Sequence, residues 1–191
     1  MPRRNAHQHQ PSLNNQQGQI SSQKDVYISG NALQIDNSQN GQIIAGQNLT
    51  LQAQNLNNPG TIAAGHDAEI ALTDNFSVDA DITAGHNLTI SSQGTISNSH
   101  ILSGGDSVRL QAADIDNQAS GTIQSNNQTE LQAQSKITNR GLNKQQRHHT
   151  STVRKQHQQH RHRPHLWQPC RIGSHDLYNQ EETSGTKPKQ Q

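Results

Sequence analysis

The sequence predicts an all-β fold, a parallel β-helix of about six coils of roughly 20 residues each, with disordered ends. Three observations carry that expectation. The first is a period. Ile43, Gly46, Leu49, Leu51 return as Ile62, Gly65, Ala68, Ile70, then Ile82, Gly85, Leu88, Ile90, then Leu102, Gly105, Val108, Leu110. Ile123, Asn126, Thr129, Leu131 close the series with weaker residues. The five starts are evenly spaced, and a fixed period of this length marks a solenoid, in which each unit buries its apolar face on its neighbours. The second is the apolar pair at i and i+2 within each unit (Leu49/Leu51, Leu88/Ile90, Val108/Leu110), the spacing of a strand with one buried face. The third is that like residues recur in phase, in one glycine column and one asparagine column.

Taken in order, residues 1–17 are Gln, Asn and His without a period and read as a disordered polar N-terminus. Residues 18–142 hold the repeats. Ile20, Gln23, Val26 and Ile28 fit the template with Gln in the turn slot, and Gly30, Leu33 and Ile35 fit the second half of a unit, which predicts shortened or overlapped first coils. Thr50, Thr89 and Arg109, between the apolar pairs, point to solvent. A second apolar point follows in each unit at Leu56, Phe76, Ile96, Ile115 and Ile137, with Phe76 filling extra interior volume. A helix is excluded by apolar spacing of two rather than three or four.

The glycine column comprises Gly30, Gly46, Gly65, Gly85 and Gly105, with Asn126 in the last slot. Glycine there suits a positive φ or a close approach of backbone. The asparagine column comprises Asn37, Asn58, Asn98, Asn117 and Asn139, each two residues after an apolar anchor, and Val78 interrupts it. Stacked Asn side chains can bond along the stacking direction, each amide giving to one neighbour and accepting from the other. Such a column needs parallel, in-register coils.

Composition agrees with a narrow core. Apolar residues make up 27% and aromatics 2%, too few for an ordinary globular interior but enough for coils with a few inward residues each. Residues 18–142 carry four basic and eleven acidic side chains, whereas residues 143–191 carry nine basic and three acidic ones. The two regions are different materials. Cys170 is the single cysteine, so no intrachain disulfide forms. No apolar run reaches the roughly 18–20 residues of a membrane helix, and Met1-Pro2-Arg3-Arg4 leads into no apolar region of a secretory signal.

The segments Ala45-Gly46-Gln47-Asn48-Leu49-Thr50-Leu51, Ala84-Gly85-His86-Asn87-Leu88-Thr89-Ile90 and Leu56-Asn57-Asn58-Pro59-Gly60-Thr61-Ile62 resemble the haemagglutinin repeats of the filamentous haemagglutinin family. These are long exoproteins of bacterial two-partner secretion. The resemblance spans roughly residues 20–142. It implies a right-handed β-helical shaft, a parent protein that is secreted or at the cell surface, and export through an outer-membrane transporter partner. Host-cell or bacterial surface ligands are implied too, for an adhesin or for the stalk of a contact-dependent inhibition toxin. Family members begin with a signal peptide and a secretion domain, so this sequence resembles an internal or truncated segment.

Parallel β-helices also serve as carbohydrate-active enzymes, which gather carboxylates and basic groups on one outer face beside long loops. Asp67, Glu69, Asp74, Asp79 and Asp81 are the densest acidic group, read as solvated charges with calcium binding as the sharper alternative. His66 and His86 share a column beside the turn glycines and read as exposed turn residues. No nucleophile motif or phosphate loop occurs. The expectation is therefore a structural segment with no catalytic residues, no cofactor and no resident metal; its site residues are the turn and ladder positions Gly46, Gly65, Gly85, Gly105, Asn58, Asn98, Asn117 and Asn139.

Residues 143–191 form a basic His/Gln-rich tail, expected to be disordered. One reading is a nucleic-acid segment, but no reading module accompanies the charges and no nucleic acid is expected. A second is a zinc site from His160, His162, His165, Cys170 and His175, whose spacing matches no closed pattern. The third, favoured by a repeat that stops in mid-phase, is a frameshift-derived end with Leu177-Tyr178-Asn179-Gln180-Glu181-Glu182 as a partly regained frame.

Overall fold

A computed structural model of the chain describes residues 10–58, 60–145 and 148–153. Regular structure among these residues is all β-strand, and adjacent strands pair in parallel. The chain winds as a solenoid with three sheets running along it. The first sheet stacks Gln19–Ser22, Gln42–Ala45, Thr61–Ala64, Ile82–Ala84, Ile101–Gly104, Thr122–Ser125 and Leu142–Gln145. The second stacks Val26–Ser29, Leu49–Ala53, Ala68–Leu72, Asn87–Ser92, the first halves of Ser107–Asn117 and Gln128–Asn139, and His148–Val153. The third begins with Ser12–Asn14, Gln34–Asp36 and Asn55–Asn57, then starts afresh with Phe76–Val78, Thr95–Asn98 and the second halves of the two long strands.

Register is set by the apolar columns. Ile20, Ile43, Ile62, Ile82, Leu102 and Ile123 lie one above another in the first sheet. A one-residue slip would turn every inward side chain outward, so the burial of this column holds the coils in phase. Ile43, Ile62, Ile82, Leu102 and Ile123 are fully buried, as are Leu51, Ile70, Ile90 and Leu110 in the second sheet. Ile35, Leu56, Phe76, Ile96 and Ile115 supply the third side of the core. Phe76 is the bulkiest of them. Thr129, in a slot filled elsewhere by Leu, Val or Ala, is also fully buried; its hydroxyl meets Ser125 Oγ at 2.9 Å, so the polar pair is satisfied inside.

The strands reach further than the apolar pattern. Among the described residues, seven strands line the first sheet instead of the expected six coils. The added coil uses Leu142–Gln145 and His148–Val153, beyond the boundary at residue 142. In it Asn143 takes the register position of Ile123 and Ser151 that of Leu131, so main-chain pairing continues where the apolar signal has gone. At the other end Ser12–Asn14 pairs with Gln34–Asp36, inside the region read as a polar, structureless end. The first full coil is not shortened. Ile20 lies under Ile43, and Ile43 under Ile62, so the earlier coil spends more chain than the later one. Part of the surplus is taken by the turn before Gly41, where Gln39 (φ 55°) and Asn40 (φ 65°) enter the left-handed region. Asn tolerates it well. The expectations for the zinc ligands, the regained frame and the basic segment beyond residue 153 lie outside the described residues.

Candidate functional site

The turn between the first and second sheets carries the glycines. A Cβ built on Gly46 would sit 2.2 Å from the Gln23 carbonyl oxygen, one on Gly65 2.2 Å from that of Gly46, one on Gly85 2.1 Å from that of Gly65, and one on Gly105 2.0 Å from that of Gly85. None of these glycines has a positive φ. The column is glycine because each turn lies directly on the backbone of the turn below, and side-chain handedness has no part in it. Asn126 continues it, donating from Nδ2 to the Gly105 carbonyl at 2.6 Å. Gly30 does not belong here. Its added Cβ would meet Leu33 Cβ at 2.9 Å, and Gln23 occupies the slot below Gly46.

At the corner after the third sheet, asparagines form a buried ladder. Asn15 Nδ2 donates to Asn37 Oδ1 at 2.7 Å, and Asn37 Nδ2 donates to Asn58 Oδ1 at 2.8 Å. A second run begins at Asn98, which donates to Asn117 at 2.8 Å, and Asn117 donates to Asn139 at 2.8 Å. Each amide thus gives toward the later coil and accepts from the earlier one. Val78 separates the runs. Asn58, 1% exposed, is left with no partner for Nδ2 among the described residues. Asn139 differs from the others in being solvent-exposed.

A third column lies outside, next to the glycines. Here a side-chain oxygen of one coil accepts the backbone N–H of the next: Asp25 from Asn48 at 3.0 Å, Asn48 from Asp67 at 3.3 Å, Asp67 from Asn87 at 3.0 Å. His66 and His86 stack beside it, one residue nearer the glycines, with ring centroids 4.7 Å apart and planes 24° from parallel. The Asp67 carboxylate bridges them. Oδ2 is 3.0 Å from His66 Nδ1, and Oδ1 is 3.0 Å from His86 Nδ1. Asn87 Nδ2 lies 2.7 Å from the same His86 nitrogen, while Ser107 Oγ donates to Asn87 Oδ1 at 2.6 Å. Burial pushes the Asp67 carboxyl up, but the Asn87 main-chain N–H, His86 and His66 outweigh it and hold it below its usual value.

The acidic residues named from the sequence do not converge. Among the described residues, the group of possible ligands close enough to share an ion is His66, Asp67 and His86. Asp81 instead accepts the Ile101 main-chain N–H at 3.0 Å, a bond along the coil axis. An open trough of about 430 Å³ crosses Gly30, Gln52, Ala71, Ser91 and Gln111, and its lining holds amides, hydroxyls, small residues and Leu72, without a carboxylate, imidazole or thiol. The sequence placed His66 and His86 in one column. It did not reveal Asp67 as their shared partner, although adjacency to His66 and a separation of one period from His86 held that information.

Parallel coils, three stacked columns and a narrow continuous core define a structural β-solenoid, a shaft assembled from repeats. The family model for the haemagglutinin repeat matches the chain three times, over residues 11–53, 53–100 and 102–153. Each match covers about two coils. The chain belongs to the haemagglutinin-repeat family, and its coils fit the structural shaft of a haemagglutinin-like protein. Comparison with curated proteins and with solved structures returns no match.

Proposed function

We propose that these coils serve as a shaft segment of a secreted or surface-exposed bacterial adhesin of the haemagglutinin type, supporting adhesion by holding binding regions away from the cell. The observation that carries this reading is the regularity of the coils. Ile43, Ile62, Ile82, Leu102, Ile123 and Asn143 follow one another in register at a near-constant interval, leaving no long insertion between them to wall a cleft. Catalytic β-helices need such a cleft and converging acid–base groups. A shaft needs repetition, and its stability is a sum of coil and neighbour terms.

The membership in a family of structural and adhesin repeats supports the same reading. Partners follow from it: an outer-membrane two-partner-secretion transporter for export of the parent protein, and surface ligands on host or bacterial cells. The test pairs two assays on the purified chain, adhesion to cells and glycan arrays on one side and release of unsaturated uronates from acidic polysaccharides on the other. Adhesion or simple mechanical rigidity without turnover is the expected result. Uronate release lost on heat denaturation would overturn it.

A further inference from the structure

We propose that His66, Asp67 and His86 form a surface site for a divalent transition-metal ion of the zinc class, held across two successive coils. The donor atoms are placed for it. Two ligands bound at about 2.1 Å in a tetrahedral site lie about 3.4 Å apart; each Nδ1 is 3.0 Å from its oxygen of Asp67, so these exposed side chains need part by only a few tenths of an ångström to seat an ion. All three residues offer a ligand atom within 4.8 Å of the others.

The hydrogen bonding around His86 fixes its ring. Ser107 donates to Asn87 Oδ1 at 2.6 Å, which turns the Asn87 amide nitrogen toward His86 Nδ1 at 2.7 Å. The same Nδ1 lies 3.0 Å from Asp67 Oδ1, so this edge of the imidazole is held against the carboxylate. Two imidazoles and one carboxylate suit zinc, copper or nickel and not calcium, which prefers six to eight oxygens. The outer rim supplies the pre-organisation. His86 N–H donates to the His66 carbonyl at 2.8 Å, so main-chain pairing fixes the vertical spacing of the rings. The side chains remain about half exposed, with relative areas of 57% for His66, 47% for His86 and 43% for Asp67. The ion therefore keeps positions open to water, as three-ligand sites do.

The experiment follows thermal unfolding of the full chain by the β-sheet circular dichroism signal, with Zn²⁺ or Ca²⁺ added after chelation. Zinc held by histidines of the basic tail equally in folded and unfolded chains would not shift the melting of the coils, so stabilisation of the coils is the selective readout. A hundredfold excess of Zn²⁺ over Kd should raise Tm by roughly 5–10 °C. His66→Gln and His86→Gln copy the residue that the column carries at Gln47, so the coils stay intact; each should lose most of the rise. Asp67→Asn should lose it too. A variant with His160, His162 and His165 changed to Ala should keep it. Absence of a rise in the unaltered chain, an equal rise in His86→Gln, or a rise with Ca²⁺ alone would each overturn the proposal.

Discussion

Removing one rung of the asparagine ladder should cost very different amounts depending on which rung is taken. Asn37 and Asn58 are adjacent rungs, 0% and 1% exposed, and truncation to Ala removes the same atoms from each. Asn37 accepts from Asn15 and donates to Asn58, whereas Asn58 accepts from Asn37 and has no acceptor for its own amide. Asn37→Ala strands the buried Asn58 Oδ1, at about 1–3 kcal/mol, and loses the Asn15 bond, at about 0.5–1.5 kcal/mol. Asn58→Ala loses one bond of that size, and it also deletes a buried donor that was unsatisfied already, returning about 1–3 kcal/mol. The shared packing loss cancels in the comparison. Asn37→Ala should therefore be the more destabilising by about 2–6 kcal/mol, read as the difference in urea midpoint multiplied by the slope. Val78→Asn supplies the missing acceptor, and in that background Asn58→Ala should become as costly as Asn37→Ala. Equal losses for the two single variants in the natural background would refute the assignment of the hydrogen bonds.

Other perturbations follow from the same columns. Gly85→Ala drives a methyl to 2.1 Å from the Gly65 carbonyl oxygen and should destabilise by about 3 kcal/mol or more; Gly30→Ala meets Leu33 Cβ at 2.9 Å, which gives only by a shift of that turn, and should cost less, about 1–2 kcal/mol, both read from urea melts. Ile90→Asp places a charge at a fully buried position and should abolish the β-sheet circular dichroism signal; an unchanged spectrum and melt would disprove the core assignment. The Asp36 carboxyl is held below its ordinary value by the Ser38 hydroxyl first, then the Gln16 amide, the Ser38 main-chain N–H and Asn57, against the opposing effect of burial. Its contribution to stability is present above the ordinary carboxylate pKa of 3.8 and fades as pH falls through and below that value. Asp36→Asn should flatten this acid limb of a stability–pH profile, and an unchanged limb would contradict the lowered value.

The fold was legible because its determinants are local and repeated. The pairs Leu49/Leu51 and Leu88/Ile90 announce strands, and the asparagine column announces in-register stacking. What was not legible lay where the apolar code gives way to main-chain pairing. Asn143 and Ser151 stand at the register positions of Ile123 and Leu131 without being apolar, so no hydrophobic period could mark the last coil. The first strand was readable in principle, since Leu13 and Asn15 stand one coil before their partners Ile35 and Asn37 in matching order. The reason for the glycines was half legible. Sequence allowed either left-handed backbone or close approach, and only the carbonyl beneath each turn decides for the second. The His66–Asp67–His86 group needed both the period and the side-chain directions at the rim.

The break in the third sheet gives the shaft a mechanical property that its repeats alone do not. Between Asn55–Asn57 and Phe76–Val78 the third sheet is discontinuous, while the first and second sheets pass through intact. The uncoupled Asn58 amide lies at the same level. Two continuous sheets act as a flexural spine, and the side opposite them has less tying it shut. Under bending load the described coils should open there first, which gives the stack a compliant joint at a fixed height.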